Sequence, residues 1–404
     1  MTPSRVRAVA GSTVLVAGGL AVAQVLGYAL QLVGARALGR DAYGAFAALL
    51  GVVLIGNVLA LGLQAVGART LVRRAAESPE DIGGAGRTVL RAGLVGGAAV
   101  AVATAVVSPA VMALLNLDGV VPVLLVAVSL VPLTVTGAQL GVAQGRESFA
   151  RVGLLYVATG LGKSGGGIVG ALATGSLLGA LVGFALGAAV GAAAGAVVVR
   201  PLAARRPVPL PGLRAETLHA THALLALFVL TNVDVLLARA LLSPAEAGRY
   251  AVGAIVAKIA FWLPQFVVVI AFPRMADSRR VAATLAAAGI TAGLGVLVTL
   301  GAWLFGDLVV RIVGGAQYAG LGPVVWLFAA AGSAFALAQL LLMSRLAVDD
   351  RRAVLAVWAA TVLLVGVAVL VAPRTVTGLV LSALTAGFAL AAAGLVVALR
   401  ERRT

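Results

Sequence analysis

Five charged side chains lie where charge is least expected. Lys163 stands in "GLGKSGGG", Lys258 in "AIVAKIAFW", and these are the only two lysines of the chain. Asp234 and Arg239 interrupt "TNVDVLLARALLSPAEAGRY", and Arg36 stands in "QLVGARALGR". All five sit in or at the edge of runs apolar enough for a lipid bilayer, where an ionisable group costs about 2.5–3.5 kcal/mol at the centre and so faces protein or water. An ammonium there can hold an anion, a carboxylate can hold a cation or the ammonium itself, and a guanidinium offers a planar fork to oxyanions. What such groups do depends on the elements that carry them.

Those elements are membrane spans. The 404 residues are 62% hydrophobic and 11% charged, with mean hydropathy +1.11, far from the roughly 45–50% apolar share of soluble domains. Charge is confined to islands between apolar runs of about 20 residues, the length that crosses roughly 30 Å of hydrocarbon. Twelve spans are predicted, near 9–33, 44–65, 89–115, 120–143, 152–173, 177–199, 218–242, 248–272, 281–305, 321–345, 353–372 and 376–399. The stretch 152–199 is too long for one crossing and divides at Thr174–Ser176. The basic start is read as leading into an uncleaved first helix, because the apolar run continues through "VLGYALQLV", beyond a signal-peptide core.

The net charge of +16 would suggest nucleic acid in a soluble protein, but the arginines sit at helix ends and lack interleaved aromatics. Their asymmetry is topological. Counted over alternate connections, 22 arginines fall on one side and six on the other; retention of basic residues on the cytoplasmic side then puts both termini in the cytoplasm. The chain has no cysteine, which excludes disulfides and thiolate chemistry.

The chain also repeats. "QLVGARALGRDAYGAFA" from Gln31 matches "DVLLARALLSPAEAGRYA" from Asp234 with one inserted residue, pairing Gln31 with Asp234, Arg36 with Arg239 and Gly44 with Gly248. The offset is half the chain, and six spans per half give both copies the same orientation. The expected organisation is a six-helix lobe at 1–199, a proline-rich cytoplasmic linker at 200–216 and a second six-helix lobe at 217–404.

With "GARALGRDAYGAFA" and "NVDVLLARALLSPAEAGRYAVGAIV" each closing one helix and opening the next, the chain resembles the polysaccharide flippase branch of the multidrug/oligosaccharidyl-lipid/polysaccharide exporter superfamily. The likeness runs over essentially the whole chain. It implies an all-α polytopic membrane protein of about twelve transmembrane helices in two six-helix lobes around a central cavity, moving undecaprenyl-diphosphate-linked oligosaccharide outward by alternating access. Larger relatives that flip peptidoglycan precursor have two further helices, so a peptidoglycan role is not implied.

In that setting the charges acquire roles. Lys163 lies roughly 16 Å into the fifth span, Lys258 roughly 15 Å into the eighth and Asp234 roughly 12 Å into the seventh. Two ammonium groups lining a shared cavity can hold a diphosphate. Asp234 and Lys258, at similar depth on adjacent helices, are expected to pair. That pair is either a neutraliser of buried charge or a gate for which substrate phosphate, or a coupling cation or proton, competes; Lys163 is then the unpaired cation. Arg36 and Arg239, at equivalent outer helix ends, either snorkel to the interface or flank the outer mouth. "GLGKSGGG" is not a phosphate loop, because Val157 stands where that pattern needs glycine; its glycines are expected to loosen the fifth span beside Lys163. Glycines at every fourth position from Gly175 to Gly195 suit close packing within a lobe. Pro132 and Pro264 are expected to kink their spans. His219 and His222 share a helix face without a third metal ligand, near the cytoplasmic headgroups.

The expected partners are thus the lipid-linked oligosaccharide, membrane lipids and a coupling cation or proton, with neither nucleic acid nor cofactor. A cation-coupled multidrug exporter of the same superfamily is the alternative, although its cavity should be acidic or aromatic. A membrane glycosyltransferase or polymerase would need catalytic acids in a sizeable outer loop, whereas Asp41, Asp118, Glu246 and Asp307 are scattered. No catalysis is expected.

Overall fold

The computed structural model describes residues 3–204, 206–264, 267, 280–346 and 352–401. Among them every regular element is helical. In the first half these are α1 (Pro3–Ala37), α2 (Gly39–Gly56), α3 (Val58–Glu77), α4 (Ile82–Val106), α5 (Ser108–Leu114), α6 (Val121–Gly145), α7 (Phe149–Thr159), α8 (Gly166–Thr174) and α9 (Leu177–Val199). In the second they are α10 (Leu213–Leu230), α11 (Val233–Leu241), α12 (Pro244–Trp262), α13 (Arg280–Leu304), α14 (Gly306–Val313), α15 (Val325–Leu346), α16 (Arg352–Leu370) and α17 (Val376–Glu401).

Each of the twelve predicted spans overlaps helix among the described residues. Nine helices among the described residues are long and apolar enough to cross a membrane on their own, ten if the bent pair α10–α11 is one span. The fifth span falls short because a π-helical segment, Gly160–Gly165, divides it into α7 and α8. The eighth carries Glu246, Arg249 and Lys258 within the 19 residues of α12. The rest of that span, with Gln265, lies outside the described residues. Pro132 is inside α6, whereas α12 ends at Trp262, just short of Pro264.

The chain divides into two compact units. The first comprises Met1–Leu38 and Leu49–Leu225, the second Gly39–Ala48 and Ala226–Thr404. Compared with the lobes expected at 1–199 and 217–404, the start of α2 groups with the second unit, and the linker with the first turns of α10 groups with the first. The linker is anchored there: Ala204 donates to the Gly83 carbonyl at 2.8 Å, and Thr88 donates to the Val208 carbonyl at 2.5 Å.

Each unit is organised around the fourth span of its half. In the first, α6 packs against α3, α4, α7 and α9; in the second, α15 packs against α12, α13 and α17. The most apolar stretches of these two spans are both 61% buried. Helices lying in lipid are not driven together by hydrophobicity, so small residues decide how closely they approach. Along α9 the glycine stripe meets glycines of α8 and of the π-helical segment: side chains at Gly162 and Gly166 would come within 3.1 Å of the Gly191 and Gly187 Cα atoms. The stripe therefore packs one helix of the unit against its neighbour.

Candidate functional site

The seventh span breaks in the middle. Thr231 donates its hydroxyl to the Leu227 carbonyl at 2.9 Å, and Asn232 donates its side-chain amide to the Phe228 carbonyl, also at 2.9 Å. Side chains that satisfy the last carbonyls of a helix compete with its continuation, and α11 leaves α10 at 46°. The break puts Asp234 in the first turn of α11, where unpaired amide groups and the helix dipole favour a carboxylate.

Facing it is α12, started by the Ser243–Pro244 turn. Ser243 accepts from the Glu246 amide at 3.4 Å and donates to the Glu246 carboxylate at 3.2 Å, with Pro244 opening the first turn. Ser243 is thus a side-chain N-cap, with the proline where its missing N–H costs nothing. It sends α12 back alongside α11 and brings Tyr250 to Asp234: the fully buried tyrosine hydroxyl donates to Oδ2 at 2.9 Å, and its ring meets Phe328 edge-on at 5.0 Å. Oδ1 of Asp234 is buried without a hydrogen-bond partner. Lys258, two turns further along α12, acts electrostatically on Asp234. Asp234 and Lys258 lie within electrostatic reach of each other but do not form the expected contact ion pair among the described residues. The group touching the carboxylate is Tyr250, which the sequence reading missed. A signal was present in the repeat. The alignment that pairs Gln31 with Asp234 also pairs Phe46 with Tyr250, so the carboxylate and the hydroxyl that meets it are both particular to the second copy.

The first unit places Lys163 differently. It lies half-buried in the π-helical segment, where the wider turn leaves backbone groups less regularly paired. That segment is clamped on two sides. A side chain at Gly160 would fall 2.7 Å from the Ala23 Cα of α1, and Gly162 presses on Gly187 and Gly191 of α9. Arg36 is exposed in the last turn of α1, whereas its repeat partner Arg239 is buried, 7% exposed, in the last turn of α11.

The uncharged polar groups sort by partner. Gln139 ties α6 to the Ala192 carbonyl of α9 at 2.8 Å, and Gln64 donates to Gln144 at 3.2 Å and to Tyr156 at 3.4 Å. These are ties within the first unit. Among the described residues no cluster of three metal-ligating side chains occurs.

No protein-family profile matches the sequence, and no curated protein does. Solved structures do match the fold. A multidrug resistance MATE family transporter of the MOP superfamily, in an inward-facing conformation, superposes with a TM-score of 0.77 at 14% identity, covering 96% of this chain and 99% of that one. The lipid II flippase MurJ, in an inward closed conformation, gives 0.75 at 11% identity, covering 97% and 88%. An outward-facing MATE family transporter gives 0.65 at 15% identity, covering 97% and 94%. The chain therefore has the all-α, polytopic fold of these transporters, in which the helices form two lobes.

Proposed function

We propose that this chain is a flippase of the cytoplasmic membrane that moves undecaprenyl-diphosphate-linked oligosaccharide outward for cell-envelope polysaccharide synthesis. The carrying observation is the sign of the charge inside the spans. Two lysines lie there with one aspartate, and the aspartate is held by a tyrosine hydroxyl. Supporting it is the breadth of the matched fold, which includes the lipid II flippase MurJ.

On this reading the diphosphate is drawn along Lys163 and Lys258, with Arg36 and Arg239 at the outer end, while the lipid tail stays in the bilayer and only the polar head crosses. Asp234 is the gating element. With the carboxylate shared between Tyr250 and the field of Lys258, an arriving phosphate competes for the ammonium, and a proton or cation arriving at Oδ1 releases Lys258 to the substrate. Both termini and the linker face the cytoplasm, as the arginine asymmetry implies. Transport by rocking lobes requires no chemical step, so the chain is not an enzyme.

The test is translocation of a fluorescent lipid-diphosphate sugar in vesicles, with ion gradients applied one at a time. Outward movement by the wild-type chain and its loss in Lys163→Met, with unchanged insertion, supports the reading; full activity in that variant removes Lys163 from it. The second reading, a cation-coupled multidrug exporter, is favoured by the unpartnered Oδ1 of Asp234, an acceptor suited to a cationic drug. Drug efflux in a sensitive host, without lipid-sugar movement, would select it.

A further inference from the structure

Within the first unit, α3 and α10 converge and then part. At Gly62 they touch: a side chain there would sit 3.2 Å from the Thr217 carbonyl. One turn closer to the arginine-rich end they separate around a cavity of about 540 Å³, lined by Ala65, Val66, Arg69, Glu216, His219 and Ala220 among others. It is an open crevice whose lining is mostly small and apolar, with Arg69, Glu216 and His219 as the polar members. Arg69 Nη2 meets Glu216 Oε2 at 2.7 Å, and Arg73 Nη2, one turn along α3, stands 4.0 Å from Oε1 of the same carboxylate. The flanking surface is apolar, with Leu218 of α10 and Val72 of α3 both half or more exposed.

From this arrangement we infer that the crevice is a docking site for the diphosphate of the lipid-linked substrate at the cytoplasmic face, with the Glu216 carboxylate as a resident anion that the diphosphate displaces. The inference rests on the flippase reading above. Two guanidinium groups converging on one carboxylate are placed for an anion with more charge and more acceptor oxygens, which each fork engages better than a single carboxylate does. The resident pair is easily exchanged, because Arg69 and Arg73 are 67% and 51% exposed and exposed ion pairs contribute little to stability. The apolar walls beside the arginines accept the first carbons of a prenyl chain whose remainder lies along the exposed flank of α10. A phosphate monoanion without a lipid chain would gain nothing from those walls.

The test exploits opposite signs. Binding of geranylgeranyl diphosphate to the full chain in nanodiscs is measured for the wild type, Glu216→Gln and the double variant Arg69→Gln/Arg73→Gln, with inorganic diphosphate and phosphatidylglycerol as competitors. The expected result is tighter binding by Glu216→Gln, binding weaker by at least about tenfold in the double arginine variant, competition from inorganic diphosphate only at concentrations well above those of the prenyl diphosphate, and little competition from phosphatidylglycerol. No competition at all from inorganic diphosphate overturns the inference. A Glu216→Gln chain that binds less tightly or unchanged overturns the inference and makes the pair a plain helix latch. Binding that survives loss of both arginines overturns it, and so does equal competition by phosphatidylglycerol, which would make the crevice a site for bulk anionic lipid. Vesicle translocation by the same preparations separates the two readings. Normal translocation with arginine-independent binding removes the docking site and leaves the flippase, whereas a wild-type chain that moves no lipid-linked sugar removes both.

Discussion

At the scale of residues, the chemistry turns on which buried charge touches what. Lys163→Met should lower translocation by about tenfold or more, the order expected when one charged hydrogen-bonding group is lost, while leaving membrane insertion unchanged; initial rates in vesicles check this. Tyr250→Phe removes the donor at Asp234 Oδ2 and leaves both carboxylate oxygens in a buried site. It should cost about 1–3 kcal/mol of stability, read as a lower midpoint in thermal unfolding in detergent. Adding Asp234→Gln installs the pair found in the first copy, Gln31 with Phe46, and should recover part of that loss, since a neutral amide is less costly to bury than an unpaired carboxylate. The five charged candidates were legible in the sequence because charge in an apolar run is conspicuous. Tyr250 was legible only as a Phe46-to-Tyr change in the repeat alignment, which gains meaning once a helix break and a Ser–Pro turn put its hydroxyl on Asp234.

At the scale of elements, close helix contacts come from glycine and from caps. A side chain at Gly183 would run into the Gly166 carbonyl, so Gly183→Leu should separate α8 from α9, costing about 1–3 kcal/mol or more by overpacking. Val190→Leu, on the 66% exposed side of the same helix, should leave the monodisperse yield on size exclusion unchanged. Spans were readable as runs of apolar residues, but their interruptions were only partly so. The glycines of "GLGKSGGG" announced a loosened fifth span and the structure supplies a π-helical segment. The break at Thr231–Asn232 went unanticipated, because two polar residues in a span can equally well bond across helices; only the backbone shows Thr231 and Asn232 turning back on the carbonyls of Leu227 and Phe228.

At the scale of the molecule, the arginine asymmetry carries the proposed orientation. The absence of native cysteine makes topology directly measurable: Pro209→Cys in the linker should react with a membrane-impermeant maleimide only from the cytoplasmic side, and Asp118→Cys only from the outside. Labelling of both from one side would overturn the proposed orientation. Composition and periodicity by themselves determined that the chain is a polytopic helical membrane protein, because roughly 20-residue apolar runs have no other stable home. The repeat alignment also singled out Gly44 and Gly248. Only the tertiary structure decided that these two equivalent glycines touch each other, with no room for a side chain between them, that the start of α2 belongs with the second unit, and that Arg69, Arg73 and Glu216 converge at one crevice. Such contacts join residues up to about 200 positions apart, and they follow from how helices pack on their small-residue faces. Local hydropathy is blind to that packing, since every face of a span in lipid can be apolar.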